Sequence, residues 1–106
     1  MESRITIAVY KPFTGKENEL ESLAATHHQR LLDLHLVTDR RPIIMKSEDG
    51  TILEVFEWLS KEAINAAHSN PAVLQMWSEF GALCEFLPTA AVKEIGNMFS
   101  EFTPMN

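Results

Sequence analysis

The stretch Thr51-Ile-Leu-Glu-Val-Phe-Glu-Trp58 constrains this chain more than any other. Its β-branched and aromatic residues read as a strand. Its apolar side chains do not keep to one side, because Ile52, Phe56 and Trp58 alternate with Leu53 and Val55. An antiparallel strand with one wet face shows clean alternation of apolar and polar residues. Here both sheet faces need cover, one from helices and the other, most simply, from a partner sheet. Glu54 and Glu57 stand three residues apart in this strand and so point to opposite faces. A carboxylate facing a core must be paired or neutralised. One of the two is therefore expected to face a pocket as a general base, and the other to pair with a basic residue such as Lys46.

The rest of the chain supplies partners for that strand. Ile5, Ile7 and Val9 alternate with Thr6, Ala8 and Tyr10 in a first strand, which Pro12 limits. Thr14-Gly-Lys-Glu17 has the form of a capping box. The helix it opens runs to about His35 and carries Leu20, Leu23, Ala24, His27, Leu31 and Leu34 on one stripe. Pro42–Lys46 reads as a second strand, joined to the third by the turn Glu48-Asp49-Gly50. Ser60 caps a short helix from Lys61 to about His68. Asn70-Pro71 opens another, with Val73, Met76, Trp77, Phe80 and Cys84 on one stripe that ends near Phe86. Thr89–Asn97 reads as a helical turn and Phe99–Thr103 as a last strand. The order β-α-β-β-α-β is the split βαβ pattern. It predicts an α+β, ferredoxin-like fold with a four-stranded antiparallel sheet, and the 106 residues form one domain.

Composition removes several classes of function. The net charge is −6 and the nine basic residues are scattered, so no basic stripe offers itself to nucleic acid or to an anionic membrane. No run approaches the roughly 20 apolar residues of a membrane span. A single cysteine, Cys84, permits no internal disulfide. A cytoplasmic location is the expectation. The four histidines and one cysteine lack metal-site spacing, and no phosphate loop or nucleophile elbow is present. Neither a metal nor another cofactor is expected.

Glu54-Val-Phe-Glu-Trp-Leu-Ser-Lys-Glu-Ala63, followed by Ala66-Ala-His-Ser-Asn-Pro71, resembles the antibiotic-biosynthesis-monooxygenase-like family of dimeric α+β barrels. That family has a glutamate and an aromatic on its third strand, a serine-capped helix, and a histidine just before the next helix. The resemblance implies a homodimer in which two sheets pack face to face, with a pocket between each sheet and its own helices. It also implies cofactor-independent oxygenase chemistry on a small aromatic, quinol-like or anthrone-like molecule. The haem-degrading branch places histidine near the position of Trp77, asparagine on the first strand, and tryptophan where Ala66 and Ala67 stand. This chain has none of these residues there, which argues against haem degradation.

The candidate catalytic residues are His68 and His27 as alternative bases, with Glu57 orienting or assisting. His27 lies at the centre of an apolar helix stripe, whereas His68 sits at a helix end where the dipole also favours it. Trp58, Trp77, Tyr10, Phe56, Phe80 and Met76 are the candidate substrate-binding residues, because flat aromatic substrates stack on such surfaces. Trp58, Trp77, Phe56, Phe80 and Met76 are mostly core, since an aromatic stripe at helical spacing is far more often packing than a ligand box. The rival reading is a non-catalytic dimer of the same fold that binds a small apolar ligand or acts as a scaffold.

Overall fold

A computed structural model describes residues 2–106. Its elements are β1 (Arg4–Pro12), α1 (Glu17–Asp33), β2 (Ile43–Lys46), β3 (Ile52–Trp58), α2 (Lys61–Ala67), α3 (Pro71–Gly81), β4 (Cys84–Leu87) and β5 (Thr103–Pro104), with two 3-10 turns at Thr89–Ala91 and Lys93–Gly96. The sheet is antiparallel throughout, in the order β4-β1-β3-β2-β5. β3 is thus a central strand, paired with β1 from Arg4↔Trp58 to Tyr10↔Ile52 and with β2 through the hairpin at Gly50. Gly50 has φ +93°, the left-handed region that the turn requires.

The helix boundaries follow local chemistry. The Ser60 hydroxyl accepts from the Ala63 N–H at 3.0 Å, and the Asn70 side chain accepts from Ala72 and Val73 ahead of Pro71. α1 ends in a Schellman arrangement, with the Leu36 N–H donating to Leu31 and the His35 N–H to Leu32. His35 takes the left-handed position, φ 59°, which glycine usually occupies. Thr14 does not cap α1. The Lys16 N–H donates to Phe13 across a turn containing Gly15 at φ +85°, so the helix starts two residues later than a Thr14 cap requires.

The sheet has five strands, not four. The helical stripe read as far as Phe86 stops at Gly81, and the chain re-enters the sheet beside β1 as β4. Cys84 is buried four residues after Phe80, which mimics helical spacing, but it reaches the core from a strand. The strand expected over Phe99–Thr103 is reduced to β5, which pairs with β2. Beyond it the Met105 N–H donates to Ile44, and the Asn106 side chain bridges the Ile44 N–H and the Pro42 carbonyl.

The inner face of the sheet carries Tyr10, Ile52, Phe56 and Trp58 against α1, α2 and α3, and this is the main core. The outer face is covered in part by the chain itself. Val92 is buried on Val9 and Leu53, flanked by Ile95 and Phe102. The remainder of that face is open: Ile5, Ile7 and Ile43 are 58%, 49% and 56% exposed. The register places Ile7 and Ile43 on either side of the half-buried Val55. No helix among the described residues is long and apolar enough to cross a membrane.

Candidate functional site

The alternation of β3 sends Glu54 inward with Phe56 and Trp58, and Glu57 outward. Glu54 is 0% exposed and His27 2% exposed. The carboxylate oxygen Oε1 of Glu54 accepts twice, from the Tyr10 hydroxyl at 2.7 Å and from Nδ1 of His27 at 2.8 Å. Its second oxygen, Oε2, is buried without a partner. The Trp77 indole N–H donates to Nε2 of His27 at 3.2 Å. An indole can only donate, so Nε2 must hold a lone pair and Nδ1 must carry the hydrogen given to Glu54. His27 is therefore neutral in this arrangement, and no cationic partner faces Glu54.

Three elements build this constellation. The apolar stripe of α1 delivers His27 to the sheet because Leu20, Ala24 and Leu31 on the same stripe are buried. β1 brings Tyr10, whose ring packs on Phe80 with centroids 4.7 Å apart. α3, started by Asn70-Pro71, brings Trp77. Burial, followed by the neighbouring Glu54 carboxylate, pushes the Tyr10 hydroxyl well above its usual range, so it remains a donor.

Above this group lies a cavity of about 320 Å³, bounded by Thr6, Ala8 and Tyr10 of β1, His27, Phe56, Trp58, Ile64, Trp77 and Phe86. That volume is at the small end for ligand pockets. Its walls are mainly apolar. The Trp58 indole N–H is committed to the Thr6 hydroxyl at 2.9 Å, and the Tyr10 hydroxyl to Glu54. Nε2 of His27 and the Trp77 N–H are the polar pair held together by the longest of these bonds.

The expected site residues thus divide. His27, Tyr10, Phe56, Trp58 and Trp77 come together around the cavity. Phe80 and Met76 are buried in the core behind it, Phe80 supporting the Tyr10 ring. His68 is exposed at the end of α2, its Nδ1 bonded to the Ile64 carbonyl at 2.8 Å and its ring edge-on to Trp77 at 5.4 Å. Glu57 does not reach His27. On the outer face it accepts from Ser3, Thr38 and Arg40, with the Arg40 pair at 3.1 Å. Those donors, the Ser3 and Thr38 hydroxyls first, hold its carboxyl below the usual range. Arg40, not Lys46, is its basic partner, while Lys46 pairs with Glu21 at 3.0 Å. The partner of His27 is Glu54. One signal pointed to it: Glu54 shares its parity with Phe56 and Trp58, whose bulk needs the helix-covered side. Among the described residues no three His, Cys, Asp or Glu side chains are grouped to hold a metal ion. No protein-family model matches the chain, and no curated protein matches it.

Proposed function

We propose that the pocket is the active site of a cofactor-independent monooxygenase acting on a small, electron-rich aromatic such as an anthrone or quinol. The observation that carries this reading is the buried Glu54–His27 pair beneath an aromatic-walled cavity. A carboxylate on Nδ1 fixes the imidazole tautomer and leaves Nε2 as a general base. When Nε2 takes a proton from the acidic C–H of an anthrone or the O–H of a quinol, an imidazolium forms 2.8 Å from the Glu54 carboxylate, and the buried pair becomes charge-balanced. The substrate anion then reduces dioxygen. One oxygen atom is retained and the other leaves as water: the CH2 of an anthrone becomes C=O, or a ring C–H of a quinol becomes C–OH as the ring goes to the quinone, and in each case the substrate supplies all four electrons. The apolar walls keep bulk water from the intermediate.

The architecture proposed with it is the ferredoxin-like dimeric α+β barrel. Two observations support that reading: the order β4-β1-β3-β2 with helices on one face, and the open apolar row of Ile7, Val55 and Ile43 on the other. Two copies stacked through this row would bury what one chain leaves wet. Light scattering on the eluted protein should give twice the chain mass, and Ile7→Lys should halve it.

Oxygen uptake with a panel of anthrones and quinols tests the chemistry. Wild-type uptake that is lost in His27→Gln supports it, whereas an inert wild type or an unaffected His27→Gln overturns it. Ligand-induced thermal shifts without any turnover would transfer the pocket to a non-catalytic binding protein.

A further inference from the structure

We propose that Trp77 determines specificity at this pocket: its indole N–H and Nε2 of His27 form a donor–acceptor pair that selects ligands carrying a hydrogen-bond donor and a carbonyl oxygen on neighbouring atoms. This rests on the reading of the pocket as the site and of His27 as its base.

The two indoles of the chain are in different states. The Trp58 N–H is bound to the Thr6 hydroxyl at 2.9 Å, whereas the Trp77 N–H has only the Nε2 of His27, at 3.2 Å. On the histidine, Nδ1 is tied to a carboxylate at 2.8 Å, and Nε2 has no partner besides Trp77. The Trp77–His27 bond is therefore longer than the two that Glu54 accepts, and it joins two neutral groups. It also spans the cavity wall, between α1 and α3. A ligand that reaches the base must part these two atoms, and each then needs a new partner, because an unmade buried hydrogen bond costs more than a made one returns.

A ligand with a donor alone satisfies Nε2 and strands the indole N–H. A ligand with an acceptor alone does the reverse. A ligand with both, side by side, closes a ring of two hydrogen bonds, and a site built that way rejects analogues lacking either group. The ligand should also not be an anion, since the Glu54 carboxylate lies directly behind His27 with one bare oxygen.

The test needs no substrate and no reaction with oxygen. In protein labelled with ¹⁵N the two tryptophans give two indole N–H signals, which Trp77→Phe assigns. The probes are 2-quinolone, whose N–H and C=O are adjacent, 1-methyl-2-quinolone, which keeps only the acceptor, and indole, which has only a donor. We expect 2-quinolone to bind about ten-fold more tightly than either of the others, the worth of one buried hydrogen bond. It should shift the Trp77 signal and spare that of Trp58. In Trp77→Phe the preference over indole should disappear, while that over 1-methyl-2-quinolone, which leaves Nε2 of His27 unmet, persists. A wild type without the preference, a Trp77 signal unmoved by any probe, or a preference over indole that survives Trp77→Phe overturns the assignment. Lactam preference without oxygen uptake from any anthrone would remove the oxygenase reading and leave this selectivity standing. Uptake without lactam preference would do the opposite.

Discussion

Replacing Glu54 with glutamine separates what this residue does for the fold from what it does for chemistry. The glutamine is nearly isosteric, and its single oxygen can still accept from Tyr10 and from Nδ1 of His27. Two charge-assisted hydrogen bonds become neutral ones, a loss of about 1 kcal/mol each. Against that stands the desolvation of a buried carboxylate with one unpartnered oxygen and no cation, several kcal/mol by itself. The new amide N–H groups take the place of the partnerless oxygen and cost about 1–2 kcal/mol, so the net expectation is a gain of about 1 kcal/mol in unfolding free energy, read from urea melts, with a rise in Tm of about 4 °C or more for a domain this small. Activity should move the other way. The imidazolium formed on His27 would lose a carboxylate whose charge centre lies about 4 Å off, worth about 4 kcal/mol at an effective dielectric constant near 20. That corresponds to roughly three decades in turnover. A variant that is markedly less stable than wild type, or one that is equally active, refutes the reasoning. The first result would make Glu54 a structural anchor, and the second would deny it any part in proton transfer.

Other expectations follow from the same geometry. Hydrogen bonds hold the carboxyls of Asp49, Glu57 and Glu79 below their usual range, through the Ser47 hydroxyl, the Ser3 and Thr38 hydroxyls, and Arg30 respectively. Their folded values lie below the unfolded ones, near 3.8 for Asp49 and 4.5 for Glu57 and Glu79, so the stability they confer is complete above those values and drains away as acid protonates the folded groups. Urea midpoints should therefore fall below about pH 4 as these three carboxyls protonate, and a midpoint at about pH 3 equal to that at about pH 5 contradicts this. The Cys84 thiol donates to the Phe80 carbonyl and is pushed up to about 11 by burial, so a thiol reagent at pH 8 should label it only as fast as the protein unfolds. Asn70→Ala removes the acceptor for two N–H groups of α3 and should cost about 1 kcal/mol in a urea melt. His35→Gly relieves the left-handed position at the end of α1 and should gain up to about 1 kcal/mol in the same assay.

Legibility in the sequence tracked how local the deciding interaction is. The hairpin at Gly50 and the caps at Ser60 and Asn70 could be read directly, because each is settled within four residues. The burial of His27 was legible from its neighbours on the α1 stripe. The end of α3 was not. Phe80 and Cys84 keep helical spacing whether the chain between them coils or turns, and only the free edge of β1, many residues away, draws Cys84–Leu87 into the sheet. The need for cover over Leu53 was readable, but its source was not. Val92 and Phe102 supply part of it from a segment whose own pattern is too short and mixed to announce a role. At the site, spacing separated Glu54 from Glu57 without saying which one faces His27, since that depends on where the helices land.

The tail along β2 bears on where other chains could add to the sheet. β5, the Met105 amide and the two-handed grip of Asn106 occupy backbone groups that a β2 edge would otherwise present to any passing strand. A sheet sealed along that rim cannot lengthen there by recruiting more chains. In the dimer proposed above, contact between molecules falls on the flat apolar side, where stacking closes after one partner and yields discrete particles in place of growing fibres.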